Sequence, residues 1–194
     1  MSEPQMIDEA EELCRRLEPE PRHVHHVCQL ALLLFDQLVP VHGLDAQDRL
    51  LLHAASLLHD LGFSTYPSGK GHHKESARLI RAHPWKQLLP QQVEIVAQVA
   101  RYHRKSLPSP EHEAFAALSR HDQRRVESLA ALLRIADGLD RTHAQNTKQI
   151  TVSSDDHTIH IQAQGVAPLS ANLAAAEKKS DLARRIFDRE VRIQ

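Results

Sequence analysis

Cysteine is almost missing from this chain: Cys14 and Cys28 are the only two in 194 residues. Two cysteines without a C-x-x-C spacing build neither a disulfide framework nor a thiolate zinc ribbon, so both are expected as free, buried thiols in a reducing cytoplasm. Aromatic residues are 4% of the chain, and 24 Lys+Arg against 25 Asp+Glu leave a formal net charge of -1. That composition supplies neither a base-stacking surface nor a basic field, which argues against nucleic acid and anionic membrane as partners. No apolar run approaches the roughly 18 residues of a membrane span, and the acidic stretch 2–20 lacks the basic and apolar regions of a signal peptide. Gly69-Lys70 stands outside any G-x-x-x-x-G-K-[ST] spacing and no G-x-S-x-G elbow occurs, which excludes a P-loop triphosphatase and a serine hydrolase of that type.

What the chain has is histidine, 15 of them, set among apolar residues at helical spacing. Residues three, four and seven apart recur as one face over 8–17, 22–39, 46–61, 72–82, a segment ending near 103–104, and 119–143, which predicts a helical bundle. Pro19, Pro21, Pro40, Pro84, Pro90, Pro108 and Pro110 punctuate these segments. Period-two alternation over 149–153 and 158–162 predicts a hairpin, followed by a helix over 170–189 and a short strand over 191–193. The expected organisation is an N-terminal helical extension (1–21), a helical metal-binding domain (22–146) and a small α+β appendage packed on it (147–194), a mainly α protein with one main core.

Adjacent His59 and Asp60 close the apolar run 54–63, where neither would be buried without a partner. His23 shares a face with Val27 and Leu30, His59 with Leu52 and Ala55, His73 with Ala77 and Ile80, His103 with Val96 and Val99, and Asp137 with Ala130 and Leu133. Five helices thus point a ligand-capable group inward. The plainer alternatives are a helix-end histidine capped by an acid for His59-Asp60, and buried histidines bonded to backbone for His73 and His103, with His72 a weaker substitute for His73. Imidazole with carboxylate suits a divalent ion such as Mn, Fe, Co, Ni, Zn or Mg, as one ion or two. An ion so held lowers the pKa of a bound water to about 7 and polarises a phosphoryl oxygen, so phosphate ester hydrolysis is the natural chemistry. Neutral imidazoles are needed, so metal affinity is expected to fall as pH drops through about 6.5. Lys74, Arg104 and Arg134 lie within a helical turn of these residues and are expected to hold substrate phosphates; the alternative for each is a solvated helix face. Asp140 is expected behind them, orienting Arg134 or a ligand histidine.

Helical His23, adjacent His59-Asp60 and distant Asp137 resemble the H…HD…D signature of the HD-domain metal-dependent phosphohydrolases. The stretches 23–27, 30–38, 54–62, 72–76, 101–105 and 132–140 extend the likeness to the C-terminal HD region of the exopolyphosphatase and guanosine pentaphosphate phosphatase family, over nearly everything from Arg22 onward. The resemblance implies an HD-type helical bundle with His23, His59, Asp60 and Asp137 as metal ligands. By analogy with dinuclear HD enzymes it also implies His73 and His103 as further ligands. In that family polyphosphate cleavage belongs to an ATPase-fold region that this sequence lacks, so the named activity does not carry over. The expectation is a metal-dependent phosphohydrolase, phosphatase or phosphodiesterase, acting on a nucleotide or other small phosphorylated compound, with His59 and Asp60 at the reacting centre. Its rival is a non-catalytic nucleotide- or polyphosphate-binding module that docks on a separate ATPase-fold partner. A homo-oligomer is open under either reading.

Overall fold

The computed structural model describes residues 3–166 and 168–194. Ten α-helices and a three-stranded sheet account for it: α1 (Glu3–Leu17), α2 (Pro21–Gln37), α3 (Val39–His42), α4 (Ala46–Leu58), α5 (His72–Ala82), α6 (Pro90–Tyr102), α7 (Glu113–Ala116), α8 (Arg120–Leu139), β1 (Thr147–Ser154), β2 (Thr158–Gly165), α9 (Ser170–Lys179), α10 (Asp181–Phe187) and β3 (Glu190–Ile193). The protein is mainly helical, as the periodicity predicts.

Local chemistry sets the boundaries. Pro21 and Pro90 open α2 and α6 at positions that need no N–H donor. Asp45 and Asp48 form a reciprocal capping box at the start of α4, and the Ser119 hydroxyl accepts from Asp122 N–H at the start of α8. The apolar face of α8 (Val126, Leu129, Ala130, Leu133, Ala136) is wholly buried against α2, α4 and α6. α1 joins the same core through Met6, Ala10, Leu13 and Cys14, and Cys14 and Cys28 are both free and buried. Burial pushes each thiol up to about 12, which leaves them inert.

Two elements depart from expectation. The segment 46–61 stops being α-helical at Leu58; His59 and Asp60 form a turn that leads into a 3-10 turn over Leu61–Ser64. The segment 170–189 is two helices broken at Ser180, whose hydroxyl donates to Glu177 O at 2.7 Å.

The sheet order is β1-β2-β3, with β1 antiparallel to β2 and β2 parallel to β3. Ile150, Ile159, Ile161 and Val191 face inward and are buried. The Gln37 side chain bonds Ile150 O and Val152 N–H, so the outer edge of β1 is tied to the end of α2. α9 lies against α8 at Gly138, where a Cβ would come within 2.5 Å of Ala176 Cα. Only glycine permits that approach, and it carries the end of α9 over the end of α8.

Candidate metal centre

His23 from the first turn of α2, the turn His59-Asp60 after α4, His72 from the first turn of α5, His103 after α6 and Asp137 near the end of α8 converge on one buried cluster. Asp60 is its hub. One carboxylate oxygen faces His59 Nε2 at 3.5 Å and His23 Nε2 at 3.8 Å; the other faces His72 Nε2 at 3.1 Å and His103 Nε2 at 3.4 Å. Asp137 lies 3.6 Å from His23 Nε2.

The outer ring nitrogens show how the imidazoles are set. His59, His72 and His103 each bond through Nδ1 to the carbonyl three residues back, Ser56 O at 2.7 Å, Gly69 O at 2.9 Å and Ala100 O at 2.6 Å. A carbonyl only accepts, so each Nδ1 carries the proton and each Nε2 presents a lone pair to the cluster. His23 differs: its Nδ1 meets Asp140 Oδ2 at 2.8 Å.

Lone pairs converging in this way need a cation. His72 Nε2 and His103 Nε2 are 3.3 Å apart, both acceptors by that tautomer. The buried His23 Nε2, His59 Nε2 and Asp60 Oδ1 have no hydrogen-bond partner among the described residues. Three overlapping groups can each hold a divalent ion, His23-His59-Asp60, His59-His103-Asp137 and Asp60-His72-His103, with ligand atoms within 4.8 Å of one another. The residues fit a metal ion of the nitrogen- and oxygen-binding type.

Electrostatics separate the members. Burial holds His59 below the ordinary imidazole value and His103 well below it, so both rings are neutral. Burial acts on His23 in the same direction, but the facing Asp137 carboxylate and the bond to Asp140 outweigh it and push the ring up to about 10. Burial would raise the Asp60 carboxyl; the surrounding imidazoles of His59, His72 and His103 hold it below the usual range instead. The Asp137 carboxyl is held well below that range because the Lys179 ammonium and the facing His23 ring overcome desolvation. Behind the cluster, Glu18 is buried with one oxygen accepting from Glu20 N–H at 2.9 Å and the other unpartnered among the described residues. Burial pushes this carboxyl up to about 7.

The cluster forms the floor of a cavity of about 410 Å³. Its walls include Phe63, Arg104, Lys105, Arg141, Lys178 and Lys179. Among the described residues Arg104, Lys105, Arg141 and Lys178 have no carboxylate within ion-pair distance, so the rim is cationic above an anionic floor.

The expected site residues fall as follows. His23, His59, Asp60, His103 and Asp137 come together, and Asp140 stands behind His23 rather than beside Arg134. His73 is not in any ligand group; His72 takes that place. His73 is half-buried on the stripe of buried Ala77 and Ile80, but it is the buried His72, one residue earlier, that faces Asp60. Gly62 lets α5 approach so closely that a Cβ would sit 2.1 Å from His72 O, and Gly62 N–H donates to the Ser76 hydroxyl at 2.9 Å. Phe63 then stacks on the His72 ring at 3.9 Å between centroids. His73 stands aside, pushed down to about 4 by burial and by His72 and Arg104.

Lys74 is exposed and does not line the cavity. Arg104 lines it with its guanidinium 3.4 Å from His72 Nε2. Arg134 lines it too, but it is buried with its donors committed: Nε and Nη2 to Asp181 and Nη1 to Tyr102 O at 3.0 Å. It fastens α10 to the end of α6 instead of standing free for phosphate. Lys179, missed by the sequence reading, reaches from the end of α9 to Asp137.

A helical bundle that gathers His23, His59-Asp60 and Asp137 into one buried cluster defines an HD-type domain able to hold a metal ion. Residues 8–179 match the family model described as Ppx/GppA phosphatase, domain III, and the chain belongs to that family. No curated protein matches it. No described helix is long and apolar enough to cross a membrane.

Proposed function

We propose that this chain is a divalent-metal-dependent phosphohydrolase acting on a nucleotide or another small phosphorylated compound. The observation that carries the reading is the set of imidazole lone pairs converging on Asp60, with the tautomer of three rings fixed by backbone carbonyls, beneath a cationic rim. His23, His59, Asp60 and Asp137 would hold the ion, and His72 with His103 would serve a second ion or face the substrate. A divalent ion at this place supplies Lewis-acid polarisation of phosphorus–oxygen bonds and an acidified water. The chain supplies the rest. Arg104, Lys105, Arg141 and Lys178 draw in phosphate oxygens and offset the charge that grows on them in the transition state. Phe63 walls the floor from bulk water.

A second reading, a non-catalytic module binding a nucleotide or polyphosphate, is favoured by one observation: Asp137 is already neutralised by Lys179. Metal analysis of the purified protein, followed by a metal-supplemented phosphatase and phosphodiesterase screen of wild type and Asp60→Ala, separates the two. Turnover that needs metal and disappears in the variant supports the enzyme. Stoichiometric metal without Asp60-dependent turnover supports the binding module, and no metal at neutral pH ends the metal reading.

A further inference from the structure

Lys179 brings to the cluster an ammonium, which cannot itself ligate a metal, and sets it on a carboxylate that a metal would use. It ion-pairs with Asp137 Oδ2, while Asp137 Oδ1 faces His23. We propose that Lys179 is a displaceable internal counter-cation, which shields Asp137 until a phosphate enters the cavity and draws the ammonium onto itself, leaving Asp137 to the metal. The inference rests on the metal-site reading and adds its regulation: metal and phosphate bind cooperatively through one lysine.

The backbone around Lys179 is fastened, and its side chain borders the open cavity. α9 is clamped on α8 by the close contact of Gly138 with Ala176, Lys179 O accepts from Arg134 Nε at 3.3 Å, and Asp181 is gripped by the same guanidinium. The Lys179 side chain is 22% exposed and lines the cavity, so a rotation about its four-carbon stem takes the ammonium from carboxylate to cavity without moving the helix. A divalent ion in the His59-His103-Asp137 group would stand beside that ammonium and repel it. A phosphate held by Arg104 and Lys178 gives it a second anionic partner. Each ligand therefore removes a cost that the other bears, and by linkage the coupling is reciprocal.

The test titrates Mn(II) into the intact chain with and without saturating inorganic phosphate, for wild type, Lys179→Met, Lys179→Gln and Lys74→Met. Without phosphate, both Lys179 variants should bind Mn(II) about tenfold more tightly than wild type. Phosphate should tighten Mn(II) binding about tenfold in wild type and by less than about threefold in those variants. Lys74→Met removes an equal charge from an exposed position outside the cavity, without touching Asp137, and its affinity for Mn(II) alone should stay within about threefold of wild type. Equal Mn(II) affinity in wild type and both Lys179 variants overturns the shielding role and leaves the metal site standing, as does a Lys74→Met effect of the same size. Failure of every variant to bind Mn(II), with or without phosphate, overturns the metal reading and the proposal with it. Thermal melts of the two Lys179 variants identify any loss of fold, and either folded variant is sufficient for the comparison.

Discussion

The two sides of Asp60 are built differently. On one side His72 and His103 are each held through Nδ1 by a backbone carbonyl, and burial keeps the His103 ring neutral before any ion arrives. On the other, His23 is braced by Asp140 and lies against Asp60 and Asp137, a carboxylate-rich setting that keeps a proton on the ring. His103 costs nothing in protons to load; His23 must release one. The first offers geometry and the second offers charge, and Asp60 joins them with one oxygen on each.

Removing the hub should have the largest effect. Asp60→Ala strips both sides of their shared carboxylate, and metal content measured by atomic emission is expected to fall from stoichiometric to background, a loss of affinity of about 100-fold or more. Retained stoichiometric metal in Asp60→Ala would mean that the two sides bind independently and that the hub geometry is incidental.

The next comparison uses pH. Ligation through His23 Nε2 requires the neutral ring, and its pKa is pushed up to about 10, so affinity at this side should rise about tenfold per pH unit from pH 6.5 to 9. That window lies above the fall through 6.5 that free imidazoles suggest, because the carboxylates around His23 stabilise its proton. His59 and His103 are held neutral by burial and contribute no such slope. His23→Ala should therefore bind metal more weakly but with a slope reduced by about one proton per ion, read by isothermal titration in buffers of different ionisation enthalpy. An unchanged slope would place the released proton elsewhere.

Asp140→Asn should weaken metal binding by about tenfold, the lower end of what loss of a bracing partner costs. His103 has no carboxylate behind it, and replacing the residue that supplies its carbonyl, Ala100→Ser, should change affinity by less than about twofold, because the backbone acceptor remains. Equal effects would dissolve the distinction between a carboxylate-braced and a carbonyl-braced ligand.

The same contrast explains what could be read in the sequence. His23, His103 and Asp137 stand on apolar faces of long helices, so three-four periodicity placed them, and His59-Asp60 was visible as a polar pair ending an apolar run. His72 was not legible because its burial is imposed from outside its helix, by the Gly62 approach and the Phe63 ring. Within α5 the apolar stripe favours His73, and no local signal reverses that choice. Lys179 was hidden for a related reason: α9 is short, and its rotation on α8 is set by the Gly138 contact rather than by a strong apolar face of its own. The break at Ser180 carries neither proline nor glycine, so one helix over 170–189 was the natural reading. Arg134 lay within a turn of Asp137, but only the break that frees Asp181 reveals that its donors are taken.

Glu18 gives the most easily isolated effect, since it borders the carboxylate-rich side without belonging to the ligand groups. Burial raises its pKa from 4.5 to about 7, with Asp60 adding to the rise. A carboxyl raised in the folded state contributes stability that is complete below its unfolded value of 4.5 and is lost as pH climbs through about 7. Glutamine keeps the acceptor that Glu20 N–H uses and cannot ionise. Glu18→Gln should thus match wild type in urea denaturation at pH 4.5 and exceed it by about 2 kcal/mol at pH 8, with the gap opening between those values. Parallel stability curves for the two proteins would mean that Glu18 ionises freely in the fold, and that the negative field of Asp60 does not reach beyond its own imidazoles.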